Sequence, residues 1–254
     1  MMYFHNQAVL ITGAGAGIGR KTAVLFAERG AKVAVNDLRA SAGGEETLQL
    51  VRNLGAEGIF VAGDVSVALD AEKMVNETVS AFGKIDILIN NAGIVLPGRV
   101  DNMSENDFDR TMRVNVKGAF LVAKYAVLEM KKRGGGAIVN IASVAALKGI
   151  QDRSAYCASK GALVSLTRAM AADYLKENIR VNCVCPGTTY TPSLEERIQA
   201  HKDPEAMRAE FISRQPMGRL GKEEEIAHAV LFACCAEAAF MNGSIVSIDG
   251  GALI

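Results

Sequence analysis

The segment that decides the fold lies near the start of the chain and reads Ala8-Val9-Leu10-Ile11-Thr12-Gly13-Ala14-Gly15-Ala16-Gly17-Ile18-Gly19. Its apolar run has the length of a buried strand, and the glycine-rich loop after it opens a helical pattern over Gly17–Arg29. Glycines permit turns that other residues resist and let a pyrophosphate approach the backbone, while a helix N-terminus offers free N–H groups and a positive dipole end. The strand before the loop and the helix after it favour a dinucleotide site over a plain tight turn.

Short apolar runs alternate with helical patterns along the rest of the chain. The predicted strands are Ala8–Thr12, Lys32–Asn36, Gly58–Val65, Ile85–Asn90, Ala137–Ala142, Arg180–Cys185 and Ile245–Asp249. Two further predicted helices are Phe108–Lys132 and Ser154–Leu175. Because this alternation produces crossover connections, and strands that are apolar throughout are buried on both faces, the sequence predicts an α/β Rossmann fold. We expect a doubly wound, seven-stranded parallel sheet with helices on both faces.

One polar helical segment, Ser193–Gln215, stands apart from this alternation and is rich in Glu and Arg. No low-complexity segment, short-period repeat or linker divides the chain. We therefore predict a single catalytic domain over residues 1–254, with a small helical flap at about residues 190–216.

The composition argues against several classes of protein. The chain has 254 residues with 28 basic and 28 acidic side chains, so its charge gives no reason to expect nucleic acid or a membrane surface as a partner. No apolar run approaches ~18 residues, so no membrane span is predicted. The segment Met1–Gln7 is too short and too polar for a signal peptide, and we expect a cytoplasmic protein.

The five cysteines lack the even count and the spacing of a disulfide framework, so buried free thiols are predicted. Cys183 and Cys185, separated by one residue in a predicted strand, are expected to face opposite ways. His5, His201 and His228 have no metal-ligand spacing, so no metal site is predicted.

An acid follows the second predicted strand. Asp37 lies some ~20 residues beyond the glycine loop, where the dinucleotide fingerprint places a carboxylate that accepts hydrogen bonds from the adenosine ribose. Such a carboxylate would also repel a 2′-phosphate. The glycine loop contains no Arg or Lys, and Leu38 follows the acid, which favours NAD over NADP; Arg39 is a weak signal in the other direction. The alternative is a solvated acid at a strand end.

Tyr156 and Lys160 are four residues apart in a predicted helix and therefore share a face. Ser143 closes the fifth predicted strand, and the carboxyl ends of parallel strands line the ligand crevice. A Tyr-x-x-x-Lys pair alone is common on protein surfaces. The complete set is far more specific, and it reads in chain order Thr12-Gly13-x-x-x-Gly17-x-Gly19, Asn90-Asn91-Ala92-Gly93, Asn115, Ser143, Tyr156-x-x-x-Lys160 and Pro186-Gly187.

Over the whole chain, this set resembles the short-chain dehydrogenase/reductase family. The resemblance implies that Tyr156 is the general acid/base, that Ser143 orients the substrate oxygen, and that Lys160 binds the nicotinamide ribose and lowers the pKa of the tyrosine. It also implies that Asn115 holds a helix bend and a water in a proton relay. Free tyrosine has a pKa of ~10, so an adjacent ammonium and the positive nicotinamide are needed to favour the phenolate near neutral pH.

The same resemblance implies a site for NAD at the strand ends. Asp64 and Val65 are expected to border the adenine, and Thr189 and Thr191 to meet the nicotinamide amide. The full predicted cofactor set is Gly13, Gly17, Ile18, Gly19, Asp37, Leu38, Asp64, Val65, Asn91, Ala92, Gly93, Tyr156, Lys160, Pro186, Gly187, Thr189 and Thr191.

Three arginines lie near the predicted pocket: Arg153, three residues before Tyr156, and Arg197 and Arg214 on the flap. Any one of them alone is readily explained as a surface residue, but a guanidinium is the preferred clamp for a carboxylate. The run from Cys183 to Ala200 resembles the cytosolic-type 3-hydroxybutyrate dehydrogenase branch, which implies a small anionic hydroxy acid or its ketone as substrate. The chain departs from that branch at Thr189-Tyr190. The predicted substrate-binding set is Ser143, Arg153, Tyr156, Arg197 and Arg214.

Other functions fit parts of the pattern. An NADP-dependent 3-oxoacyl-carrier-protein reductase would share the catalytic residues, but Asp37 and the arginines of the flap argue against it. A catalytically silent dinucleotide-binding sensor would not need Asn115, Ser143, Tyr156 and Lys160 together. The family resemblance also implies a homotetramer, with candidate contacts at Phe108–Lys132, Ser154–Leu175 and Gly250–Ile254.

Overall fold

A computed structural model describes residues 4–38 and 41–254 and contains the predicted parallel sheet. The strands are β1 (Ala8–Ile11), β2 (Lys32–Asp37), β3 (Gly58–Ala62), β4 (Ile87–Asn90), β5 (Gly136–Ile141), β6 (Ile179–Pro186), β7 (Thr189–Tyr190), β8 (Gly221–Lys222) and β9 (Ile245–Ile248). Seven of them form one sheet in the order β3-β2-β1-β4-β5-β6-β9, and all neighbouring pairs are parallel. The short strands β7 and β8 form a separate pair that the sequence did not predict.

Helices cover both faces of this sheet. They are α1 (Gly17–Glu28), α2 (Ala42–Asn53), α3 (Ala68–Phe82), α4 (Glu105–Met112), α5 (Gly118–Arg133), α6 (Ser154–Asp173), α7 (Pro192–Gln199), α8 (Pro204–Ser213) and α9 (Glu223–Cys234). Because side chains alternate along a strand, Val9 and Ile11 pack with α1 and α9, whereas Leu10 packs on the opposite side with α3 and α5. The two apolar cores confirm the predicted doubly wound α/β Rossmann fold.

The strand order places a cleft at the carboxyl ends of the central strands. From β1 the chain crosses outward to β2 and β3, and from β4 it crosses the other way to β5, β6 and β9. The crevice between β1 and β4 is therefore the topological switch point, where open α/β sheets bind their ligands. With the exception of Asn115, each of the predicted catalytic and cofactor motifs follows a strand or begins a helix near the carboxyl ends of the strands.

The predicted helix Phe108–Lys132 is not continuous. Helix α4 ends at Met112, a π-helical segment spans Arg113–Lys117, and α5 begins at Gly118. A π-turn contains one extra residue, and the apolar periodicity of a sequence does not reveal such an insertion. The wide turn brings the side chain of Asn115 against the backbone of Ile94.

The prediction that Cys183 and Cys185 face opposite ways was wrong. Their sulphur atoms lie 3.9 Å apart, and both side chains are buried. The reason is geometrical, because residues i and i+2 of a strand point to the same face. All five cysteines are free thiols in the structure, as the cysteine count predicts.

The polar segment around residues 190–216 contains α7 and α8. Thr191 caps α7 by accepting the N–H of Leu194 at 3.2 Å, and Asp203 caps α8 by accepting the N–H of Ala206 at 3.0 Å. Helix α7 buries Leu194 and Ile198, whereas α8 has no buried residue. The segment therefore rests on the rest of the protein through few apolar contacts.

Candidate active site

The glycine loop after β1 is fixed by the residues that follow β4. The Thr12 hydroxyl accepts the N–H groups of Asn91 and Ala92 at 3.0 and 3.1 Å. The Asn91 amide donates to the carbonyls of Thr12 and Gly13, both at 2.9 Å. A Cβ atom at Gly13 would lie 2.8 Å from the Cα of Ala92, so the two strand ends leave space only for glycine.

The N-terminus of α1 is open to an anion. Ala16 is its N-cap residue and makes no side-chain hydrogen bond, so the N–H groups of the first turn have no side-chain cap. Gly17 has a φ of +59°, which brings the loop backbone to the surface of the cleft. A pyrophosphate needs this combination of free N–H groups and close backbone approach, so the residues present fit a dinucleotide.

Asp37 at the end of β2 lies against the same loop. Its carboxylate accepts the Leu38 N–H at 2.7 Å and the Ser41 hydroxyl at 3.0 Å. A Cβ atom at Gly15 would lie 1.7 Å from Asp37 Oδ2, so this carboxylate touches the loop backbone. Arg39, the weak signal for NADP, lies outside the described residues.

One cleft of about 1360 Å³ joins the predicted residues. With the exceptions of Gly19 and Asn115, every predicted catalytic, cofactor and substrate residue lines it. Gly19 lies behind the loop, where a Cβ atom would meet the carbonyl oxygen of Gly13 at 2.5 Å. Asn115 is fully buried beneath the cleft.

Tyr156 lies in this cleft on the first turn of α6, and its environment acts on the pKa in two directions. Burial raises the pKa of Tyr156 above its ordinary value. A hydrogen bond from the Ser143 hydroxyl lowers it, as do the positive charges of Arg197 and Arg153. The phenol is therefore protonated in the free protein, and added positive charge in the cleft would favour the phenolate.

Lys160 lies one turn further along α6, with only 4% of its surface exposed. Its ammonium donates to the Ile141 carbonyl at 2.8 Å and lies 5.7 Å from the centre of the Tyr156 ring. Burial lowers the pKa of Lys160 to about 8. The structure therefore places Lys160 beside Tyr156. Burying the Lys160 ammonium costs free energy, because the charged group loses its hydration.

The side chain of Asn115 connects the π-helical segment to α6. Its carbonyl oxygen accepts the N–H of Ile94 at 2.8 Å, and its amide donates to the Ile94 carbonyl and to the Ser159 hydroxyl, both at 3.0 Å. Ser159 in turn donates to the carbonyl of Tyr156 at 2.8 Å. Asn115 therefore reaches Tyr156 through Ser159 and the backbone.

The three predicted arginines line the cleft but are held differently. Arg197 and Arg153 lie close enough that the charge of Arg153 adds to partial desolvation in lowering the pKa of Arg197. Arg214 forms an ion pair with Glu210, and its guanidinium lies 5.5 Å from the ring of Phe211. Two guanidinium groups thus converge near Tyr156, while the third is already engaged.

Tyr190, where the chain departs from the branch it resembles, takes part in a contact within the flap. The guanidinium of Arg208 lies 5.5 Å from the centre of the Tyr190 ring. Arg208 also pairs with Glu195 at 2.5 Å, which ties α8 to α7. Tyr190 is 46% exposed and does not line the cleft.

Sequence reasoning missed several residues that shape the site. Thr12 was quoted within the glycine motif without a role of its own, although it holds both strand ends together. Asn36 is fully buried, accepts the N–H of Gly13 at 3.4 Å and donates to the Val61 carbonyl at 2.8 Å. An amide in an otherwise apolar strand was the available signal. Ser159 lacked such a signal, because only the fold brings it to Asn115.

Two other features, a metal-binding cluster and a membrane-spanning helix, are absent from the described residues. Among residues 4–38 and 41–254, no cluster of three or more His, Cys, Asp or Glu side chains has the geometry to hold a metal ion. Within the same residues, no helix combines the length and the apolar character needed to cross a membrane.

Comparisons with known proteins agree with this geometry. Residues 13–252 match the family model described as enoyl-(acyl carrier protein) reductase. An uncharacterized oxidoreductase of Thermotoga maritima is 57% identical over 250 residues, with 98% of each chain covered. The dehydrogenase/reductase SDR family member 6 of Danio rerio is 39% identical over 97% of each chain.

A solved structure supports the same assignment. The crystal structure of levodione reductase superimposes with a TM-score of 0.94 at 36% identity and covers 98% of each chain. The open glycine loop, the Ser143–Tyr156–Lys160 cluster and these relatives lead to one conclusion. The chain belongs to the short-chain dehydrogenase/reductase family, whose members are oxidoreductases that use a nicotinamide dinucleotide.

Proposed function

We propose that the protein is an NAD-dependent oxidoreductase that transfers a hydride between a small hydroxy acid, such as 3-hydroxybutyrate, and NAD. One observation carries the proposal: Arg153 and Arg197 line the same cleft as Tyr156, where their positive charges oppose the rise in the tyrosine pKa that burial causes. A substrate whose alcohol oxygen meets Tyr156 can therefore place a nearby carboxylate between two guanidinium groups. Guanidinium groups stay charged at any working pH and bind carboxylates through paired hydrogen bonds.

Tyr156 is the proton-transfer residue of this reaction. In alcohol oxidation its phenolate oxygen takes the proton of the alcohol, and in ketone reduction its hydroxyl returns a proton to the carbonyl oxygen. The nicotinamide ring of the cofactor accepts or donates the hydride. Ser143 donates a hydrogen bond to the substrate oxygen. Lys160 uses one N–H on Ile141, which leaves two for the ribose hydroxyls of the nicotinamide nucleotide.

The environment of Asp37 supports NAD as the cofactor. Its carboxylate is held against the glycine loop by Leu38 and Ser41, where it can accept ribose hydroxyl groups and would oppose a 2′-phosphate. Asp64 is similarly fixed, because its carboxylate accepts the Ser66 N–H at 2.8 Å. We assign the remaining cofactor-contacting roles to the predicted residues that line the same cleft.

The arginine clamp is tested by replacing its two members, Arg153 and Arg197, with Ala. We expect kcat/KM for 3-hydroxybutyrate to fall by at least about a hundredfold, because the substrate carboxylate loses both of its guanidinium partners. Activity on neutral secondary alcohols should change little. Tyr156→Phe is the reference variant, and it should lose activity on both classes while still binding NADH. If the double variant keeps full activity on hydroxy acids, the clamp is disproved.

An NADP-dependent 3-oxoacyl-carrier-protein reductase is the second candidate, because the 3-oxoacyl-[acyl-carrier-protein] reductase FabG of Thermotoga maritima is 37% identical over 258 residues. Titration with NADH and NADPH separates the two functions, since the reductase alternative requires NADPH. A third possibility, a silent dinucleotide sensor, predicts NADH binding without turnover on any alcohol or ketone.

We further propose that the enzyme works in the cytoplasm as a homotetramer. Five free thiols suit a reducing compartment. Phe108, Phe120 and Leu128 are 43%, 50% and 53% exposed on α4 and α5, and their apolar surface would be covered by a second subunit. Light scattering coupled to gel filtration measures the mass of the assembly.

A further inference from the structure

Three consecutive glutamates begin α9, and two of them have clear partners. Glu224 pairs with Lys21 of α1 at 2.7 Å. Glu225 pairs with Arg219 at 2.6 Å and accepts the backbone N–H of Lys222 at 2.7 Å, and these contacts lower the pKa of Glu225 to about 2. Both carboxylates therefore stabilise the start of α9.

The first of the three, Glu223, has a different environment. Within the described part of the chain, its carboxylate makes no hydrogen bond or ion pair. It lies next to the glycine loop, since a Cβ atom at Gly17 would be 3.8 Å from Glu223 Oε1 and 3.6 Å from Thr191. Partial burial raises the pKa of Glu223, although the charges of Lys21 and Arg20 act in the opposite direction.

This position sets two electrostatic effects against each other. An acid in the first turn of α9 is favoured by the dipole of its own helix, which explains why the fold accepts it. The same carboxylate also faces Gly17, the first residue of α1, whose open N-terminus fits an anion. Nearby cations do not neutralise it fully, because Lys21 is engaged by Glu224 and Arg20 by Glu46.

We propose that Glu223 weakens the binding of the dinucleotide by placing a carboxylate beside the pyrophosphate cradle at Gly17. Two like charges in a partly desolvated site repel each other, so the bound cofactor is held less tightly than the glycine loop alone would hold it. For an enzyme that must exchange its cofactor in every cycle, this repulsion favours release. The proposal rests on dinucleotide binding at the glycine loop but not on the choice between NAD and NADP, which share the pyrophosphate.

The test is the isosteric variant Glu223→Gln, measured by direct binding in the absence of substrate. The wild type is first titrated with NADH and NADPH, and the tighter ligand is then used for all variants. We expect Glu223→Gln to bind it roughly threefold to tenfold more tightly, the scale of a charge interaction at a partly exposed site. ADP-ribose, which keeps the pyrophosphate and lacks nicotinamide, should show the same gain.

Glu28→Gln is the matched control, since it removes the same charge from an exposed side chain at the far end of α1, away from the glycine loop and from Lys21. Its affinity should change much less than that of Glu223→Gln. The gain of Glu223→Gln should also shrink at ~1 M salt, where the Debye length falls to about 3 Å. Thermal unfolding without ligand checks that both variants fold.

Several outcomes would overturn the proposal. Equal tightening in Glu223→Gln and Glu28→Gln would make the effect one of net charge. A gain with the reduced cofactor but not with ADP-ribose would place the carboxylate at the nicotinamide end. Unchanged affinity in Glu223→Gln, with normal binding by the wild type, refutes this inference alone. Failure of the wild type to bind either dinucleotide refutes the proposed function as well.

Discussion

The two halves of the cleft are built in different ways. In the cofactor half, short polar side chains and backbone groups hold one another between strand ends, as Thr12 and Asn91 do at 2.9–3.1 Å. In the substrate half, Arg197 and Arg214 are long side chains on α7 and at the end of α8, and α8 has no buried residue. The cofactor half is therefore organised before any ligand binds, whereas the substrate half depends on side chains with greater freedom.

This difference indicates where the protein tolerates change. A rigid backbone cradle recognises the part of the ligand that all such enzymes share, and small displacements there disturb several hydrogen bonds at once. A flap held by ion pairs at its surface can change its side chains without disturbing the sheet, because exposed ion pairs contribute little to stability. If the flap binds the substrate as proposed, substrate choice is encoded where the structure is least constrained.

The largest effect is expected in the cofactor half, from Gly13→Ala. The new Cβ atom would lie 2.8 Å from Ala92 Cα, and Gly13 has a φ of +60°. We expect a loss of about 2 kcal/mol or more in the free energy of unfolding, and a decrease of at least tenfold in dinucleotide affinity. Urea denaturation and NADH titration measure the two effects.

Gly55→Ala is the matched control for Gly13→Ala. Gly55 also has a positive φ, +77°, but a Cβ atom there would meet no other atom within 4 Å. This variant should lose only about 1 kcal/mol, from backbone strain, and should bind NADH normally. Equal losses in the two variants would show that the contact with Ala92 does not constrain the loop.

An effect on stability alone, which depends on pH, is expected at the junction of the two halves from the titration of Lys160. Its pKa falls from 10.5 to about 8 on folding, so the unfolded chain binds more protons between these pH values. The free energy of unfolding should therefore rise with pH from about 8 to 10.5 and be insensitive to this group below pH 8. The expected contribution is about 3 kcal/mol at most.

Lys160→Met isolates this contribution, because it keeps most of the unbranched side chain and removes the titrating group. The difference in unfolding free energy between wild type and variant should shift in favour of the wild type as pH rises from about 8 to 10. A difference that stays constant with pH would mean that folding does not lower the pKa of Lys160.

The smallest effect is expected in the flap, from Arg208→Met. This change removes the ion pair with Glu195 and the contact with the Tyr190 ring, both of which lie outside the cleft. We expect the KM for the hydroxy acid to rise by roughly twofold to threefold with unchanged NADH affinity. Steady-state kinetics and NADH titration measure the two quantities. A weakened NADH affinity would show that the flap also affects the cofactor half of the cleft. The two halves would then not be independent.

Local sequence patterns, such as strand and helix periodicity, were sufficient to predict the sheet, the glycine loop and the shared face of Tyr156 and Lys160. They failed for the helix Phe108–Lys132, because the π-turn at Asn115 depends on the backbone of Ile94, a partner distant in the chain. They also gave no indication that Arg153 and Arg197 act on the same tyrosine oxygen. Such contacts follow from packing between elements, which the spacing of residues within one element does not describe.

The sequence by itself determined the order of strands and helices and the position of the glycine loop, and it predicted which side chains are catalytic. These features depend on strand and helix periods and on the turns that glycine permits, all of which are local. The tertiary structure alone decided how Lys160 is held by Ile141, how the arginines converge on Tyr156, and that Glu223 faces Gly17 across more than two hundred residues of chain. These features arise from long-range packing, which places groups together regardless of their separation in the sequence.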